Sequence, residues 1–128
     1  LPATRIDTRR GWIADRRTPL LEAVQRALVA GLRIPPGDRS IVLAEHDADA
    51  FRVPEDCGEA FMVVEIALIS GRSLDAKRRL YGAMAEEMAR FGVAASDLRV
   101  ILRESPAENW GVRGQPASEI DLGFEVNV

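Results

Sequence analysis

Apolar residues recur along this chain with two different periods. Leu20, Leu21, Val24, Ala27, Leu28 and Leu32 fall at helical spacing. Residues 16–32 are therefore predicted to form an amphipathic helix with one buried stripe. Asp15 or Thr18 is placed to cap it, with Pro19 tolerated in the first turn. Pro35, Pro36, Gly37 and Asp38 stop it in a turn. Leu80, Met84, Met88 and Phe91 mark a second helix over 74–91, capped by Ser73 and closed by Gly92 and Val93. Shorter apolar runs read as strands at 3–7, 40–45, 61–69 and 98–104. The run at 61–69 is the most apolar and suits an interior strand. Residues 48–60 are a polar connection, with a short hairpin expected at 51–53. Phe124, Val126 and Val128 alternate with Glu125 and Asn127, which predicts a final strand at a sheet edge.

The pattern occurs twice. Residues 13–45 lie over residues 72–104 at a constant offset of 59 positions. Leu21 falls on Leu80, Asp38 on Asp97, Leu43 on Leu102 and Glu45 on Glu104. Each copy reads as strand, helix, turn, strand, and a right-handed crossover makes its two strands parallel. The predicted fold class is α/β (α+β): duplicated β-α-β units in a four-stranded mixed sheet with both helices on one face. The expected domain is single, 1–128, made of two pseudo-repeats (about 2–46 and 61–104) and a C-terminal hairpin or strand over 108–128. The other sheet face needs cover, and self-association is the simplest cover.

Composition narrows the function. A net charge of −3 gives no reason to expect nucleic acid or an anionic membrane as partner. No apolar run approaches the roughly 20 residues that span a bilayer. Arg9 and Arg10 are not followed by the apolar segment of a signal peptide, so a cytoplasmic protein is expected. Cys57 is the sole cysteine and His46 the sole histidine, a poor set of ligands for zinc. No metal and no cofactor is expected. His46, at a strand end, reads as a structural residue or as the rim of a site.

Candidate chemistry lies at the strand ends. Pro2 reads as a proline at a strand start, but a proline with a free nitrogen is also a rigid secondary amine. Such an amine can serve as a general base or acid near neutral pH when desolvation or a neighbouring arginine lowers its pKa. Leu1 precedes it, and only a chain without Leu1 has that amine free. Arg72 stands just before a helix N-terminus, where an arginine can grip a carboxylate through paired hydrogen bonds. It reads equally as a turn arginine. Asp38 is a functional carboxylate or a turn cap, and its counterpart Asp97 favours the cap. Trp110, in a polar loop, lines a pocket, a subunit contact or a core edge. The glycines around it match no phosphate-binding or dinucleotide motif.

Three stretches together carry a resemblance that spans nearly the whole chain. The first is Ile34-Pro35-Pro36-Gly37-Asp38-Arg39, behind Pro2 and the Leu20–Leu32 helix. The second runs from Gly71 to Tyr81, followed by Gly92-Val93 and Asp97-Leu98. The third is Glu104-Ser105-Pro106-Ala107-Glu108-Asn109-Trp110. The ordered set resembles the tautomerase superfamily of amino-terminal-proline enzymes, most of all its malonate semialdehyde decarboxylase branch. The resemblance implies a duplicated β-α-β subunit, a homotrimer, no cofactor and a small 2-keto or 3-keto carboxylate substrate. It also implies that Pro2 is the acid–base amine, Asp38 the water-activating aspartate and Arg72 a carboxylate-holding arginine. The decarboxylase pattern has two arginines where this chain has Ser70-Gly71-Arg72. Arg10, Arg39 or Arg113 would supply the second, and Trp110 would line the pocket.

Overall fold

The computed structural model describes residues 1–128. Its elements are β1 (Ala3–Arg9), α1 (Arg17–Leu32), β2 (Ile41–His46), β3 (Met62–Ile69), α2 (Leu74–Ala89) and β4 (Leu98–Ser105). A small hairpin, β5 (Gly111–Val112) and β6 (Gln115–Pro116), follows. The main sheet has the order β2-β1-β3-β4. β1 runs parallel to β2, β3 runs parallel to β4, and the central β1 and β3 are antiparallel, with Ala3 opposite Ala67 and Thr8 opposite Met62. These are the two β-α-β units expected from the repeat, joined through their first strands.

The period of two along each strand decides which residues meet the helices. Ile6 of β1 and Met62, Val64, Ile66 and Leu68 of β3 are buried, and they form one core with Leu20, Val24, Leu28, Leu80, Met84 and Met88. The helices cross closely at Gly31, where a Cβ would lie 2.5 Å from Leu80 Cα. Each unit also ties its helix start to its outer strand, through Arg17 to Glu45 and Lys77 to Glu104.

The opposite sheet face mixes apolar and charged groups. Val42 and Ile101 are exposed on it. Arg103 forms a two-pronged pair with Glu65 at 3.0 and 3.2 Å. Asp7 accepts from Arg5 and contacts His46 Nε2 at 2.7 Å. His46 also packs its ring 5.4 Å from that of Phe51, which gives it a structural place at the far end of β2. No helix is long and apolar enough to cross a membrane.

Three local expectations are corrected. The hairpin at 51–53 is absent, and Phe51 instead offers its carbonyl to Arg9 Nε at 2.8 Å. Neither Asp15 nor Thr18 caps α1: the N-cap position is Arg16, whose guanidinium bonds the Trp12 and Ile13 carbonyls. Residues 124–128 form no strand. They fold over the start of α2, where Val128 offers its carbonyl to Ser73 Oγ at 2.8 Å.

Candidate active site at the Pro2 end of the sheet

Topology brings distant residues to one end of the sheet. The antiparallel β1–β3 pair places the start of β1 beside the end of β3. Thr4 N–H donates to the Ser40 carbonyl at 2.9 Å, which brings the start of β2 alongside. Ser70 N–H donates to the Ser105 carbonyl at 2.9 Å, which adds the end of β4. Pro2, Asp38, Arg72 and Trp110 all attach to these four strand ends.

Arg72 is the least ordinary group there. It is only 7% exposed, yet its one hydrogen bond runs from Nη1 to the Ile69 carbonyl at 3.3 Å. Its Nε and Nη2 are buried without any partner. Burial pushes the Arg72 guanidinium below its ordinary pKa, while the charges of Glu104 and Asp38 pull the other way. Leaving buried charged donors unpaired is costly, so this arrangement suits a group that binds an anion. The turn before it depends on Gly71, at φ +135°, where a Cβ would also strike Asn127 Oδ1 at 2.5 Å. Ser73 then caps α2 by accepting from Ala76 N–H at 3.1 Å, as its sequence position predicts.

Asp38 lies in the turn just ahead of β2, and its carboxylate accepts from the Leu1 ammonium. Pro2 is buried. The Asp38 carboxylate has no other side-chain or backbone partner, although its amide N–H donates to the Pro35 carbonyl at 3.0 Å and closes the turn. Its counterpart Asp97 behaves differently, accepting from Gly58 N–H at 2.9 Å at the far end of the sheet. The same position in the repeat thus caps a loop in one copy and faces the chain's amine in the other.

The remaining candidates divide. Trp110 is half-buried, and its Nε1 donates to Ser105 Oγ at 2.9 Å, next to the strand end that leads to Arg72. Arg10 lies at the other end of β1, paired with Asp47 at 3.0 Å, and within one chain it is not brought to Arg72. Arg39 is exposed beside Asp38 and helps line a cleft of about 470 Å³ between α1 and β2, with Gln25 and Ile41. That cleft contains none of Pro2, Asp38 or Arg72, so the unpaired buried guanidinium marks the site better than the cleft does. Arg113 occupies the tip of the β5–β6 hairpin at φ 51°, followed by Gly114 at φ 80°. Both backbone conformations match a two-residue primed turn.

Two neighbours escaped the sequence reading. Glu104 lies close enough to act on the Arg72 charge and pairs with Lys77 at 2.5 Å. Gln25 donates to the Pro36 and Asp38 carbonyls. The available signals were a glutamate repeated at the ends of both outer strands and a polar residue on the apolar stripe of α1.

Known proteins share the fold of this chain and part of its sequence. Residues 38–113 match the family described as tautomerase enzyme. A probable tautomerase of Ralstonia nicotianae is 39% identical over 57 residues, which are 44% of this chain and 81% of that protein. The FG41 malonate semialdehyde decarboxylase inhibited by 3-bromopropiolate is 28% identical, with a TM-score of 0.75 over 84% of this chain and 86% of that one. A fused 4-OT forming a symmetric trimer is also 28% identical, with a TM-score of 0.80 over 91% of this chain and 96% of that one. The duplicated fold and a family match over more than half of its residues agree: this chain belongs to the tautomerase family.

Proposed function

We propose that this protein is a cofactor-independent, cytoplasmic enzyme of the tautomerase superfamily. It moves a proton on a small 2-keto or 3-keto carboxylic acid through the amine of Pro2. The observation that carries this reading is the buried Arg72 guanidinium with two unpartnered nitrogens, at the sheet end where Pro2 and Asp38 also lie. Arg72 takes the substrate carboxylate, and Trp110 borders the pocket. Arg10, Arg39 or Arg113 supplies a second cation, and the catalytic unit is a homotrimer.

The chemistry requires a chain whose first residue is Pro2, because an acylated proline nitrogen is no base. A neutral Pro2 amine takes the enol O–H proton, and the resulting ammonium returns a proton to carbon, giving the ketone. A second reading has its own support in the place of Asp38, whose carboxylate accepts from the Leu1 nitrogen, one residue from the amine that removal of Leu1 exposes. A carboxylate there favours the protonated amine. Protonated Pro2 polarises the carbonyl of a 3-keto acid while Asp38 activates water, which suits malonate semialdehyde decarboxylase-like or hydratase chemistry. In decarboxylation the bond between the carboxylate and C2 breaks, carbon dioxide leaves, and the enolate collects a proton.

Intact-mass measurement of natively expressed protein, followed by a phenylpyruvate enol–keto assay, tests the proposal. A Pro2-initiated chain whose turnover vanishes in Pro2→Ala supports it. Retention of Leu1 with no turnover sinks it and leaves a non-catalytic trimeric binding protein. The pH dependence of labelling by 3-bromopropiolate separates the two chemistries: a near-neutral amine pKa fits the tautomerase, and one well above neutral fits the decarboxylase or hydratase.

A further inference from the structure

Gln25 has no part in the chemistry above, yet it touches the segment that carries Asp38. It lies on the buried stripe of α1, where its neighbours Leu21, Val24 and Leu28 are apolar, and it is 9% exposed. Its Nε2 donates to the Pro36 carbonyl at 3.2 Å and to the Asp38 carbonyl at 3.0 Å. Two carbonyl acceptors fix the orientation of the amide, because the flipped form would set oxygen against oxygen. The other end of the amide, Oε1, is buried without a partner. Burying an unpaired acceptor is unfavourable, and an apolar side chain would fill the same space without that cost. The packing of α1 therefore does not account for a glutamine here; the two bonds do.

Those bonds act on a turn that is short of its own. Pro35 and Pro36 have no N–H to donate. Gly37, between the two clamped carbonyls, has the widest backbone freedom in the segment. Holding the carbonyls on both sides of Gly37 fixes the direction in which the Asp38 side chain leaves the backbone. We infer that Gln25 is a positioning residue for Asp38, a strut from α1 that holds the carboxylate at the sheet end where the chain starts. The inference rests on the reading of Asp38 as a catalytic carboxylate.

Two readouts on the Pro2-initiated chain test it: hydrogen exchange of the Asp38 amide, and the separation of kcat from KM. Gln25→Met keeps the length and volume of the side chain and removes both donors. It is expected to speed Asp38 exchange about tenfold, with the amides of β3 and α2 unchanged. It should lower kcat about tenfold and leave KM within about twofold, because Arg72 is untouched. Gln25→Glu sets a carboxylate oxygen against the two carbonyls and should exceed both effects, and it carries the same readouts if the methionine variant fails to fold. Unchanged Asp38 exchange, or unchanged kcat beside faster exchange, overturns the inference. A parent chain with no Pro2-dependent turnover sinks the proposed function instead, and exchange then still decides whether Gln25 fixes the turn.

Discussion

The guanidinium carbon of Arg72 lies 5.7 Å from the centre of the Phe124 ring. An aromatic face attracts a cation while excluding water, so Phe124 helps hold Arg72 and, on the proposed function, strengthens its pull on a substrate carboxylate. Phe124→Ala should therefore raise KM for a carboxylate substrate by about three- to tenfold with a smaller change in kcat. Phe124→Leu restores exclusion of water but not the ring, and should recover only part of the loss. Steady-state kinetics on both variants checks the ordering.

On the proposed function, stability and catalysis oppose each other at Arg72. Its unpaired Nε and Nη2 make it a liability to the folded chain when no anion is bound. Arg72→Met removes the buried cation and keeps an unbranched apolar stem. The expected result is a gain of about 1–3 kcal/mol in unfolding free energy together with a loss of about a hundredfold or more in kcat/KM. Denaturant melts beside kinetics test the pair. A destabilised Arg72→Met would show that the arginine serves the fold.

The main sheet and both helices were legible because apolar spacing records burial directly. Leu20, Val24 and Leu28, or Met62, Val64 and Ile66, are buried at the positions their periods predict. The tail misled for the same reason. Phe124, Val126 and Val128 alternate as a strand does, but their apolar side chains are half-buried near Arg72, Gly71 and Ser73 without a ladder. A period of two reports which residues turn inward and not whether a partner strand exists. The contact of Gln25 with the Asp38 turn was illegible because its amide bonds carbonyls distant in sequence, and no local pattern encodes that. Arg72 and Asp38 stood out by residue type and place, whereas the missing partners of Arg72 needed coordinates.

The open sheet face contains a carboxylate with an acid-side signature. Burial alone would raise the Asp7 carboxyl, but hydrogen bonds from Arg5 and His46, with the charges of both, hold it below its ordinary value of 3.8. A depressed carboxyl stabilises the fold at pH above its unfolded pKa and loses that contribution as pH falls through the folded value. Wild-type stability should thus drop below about pH 4, and Asp7→Asn should remove part of the drop while costing about 1 kcal/mol or less near neutrality. Urea denaturation at pH steps from about 6 to about 2 measures both. A parallel acid limb in Asp7→Asn would assign the drop to other carboxylates, such as Glu87, which Arg26 also holds low.

The two units are joined most tightly where α1 meets α2 at Gly31. A Cβ on Gly31 would meet Leu80 Cα at 2.5 Å, Leu80 Cβ at 2.6 Å and Leu80 N at 2.9 Å. Two of those three atoms are backbone, so no rotamer change relieves the contact and the helices must separate. Alanine favours a helix over glycine by about 1 kcal/mol, which would make Gly31→Ala stabilising if local preference decided. Overpacking of about 1–3 kcal/mol or more should outweigh it and destabilise the protein. Because the obstruction is the Leu80 backbone, shortening that side chain in Gly31→Ala/Leu80→Ala should not restore stability, and it adds a cavity of its own. Thermal melts of the two single variants and the double variant decide the matter: recovery in the double variant would mean that the side chain, not the backbone, sets the distance between the helices.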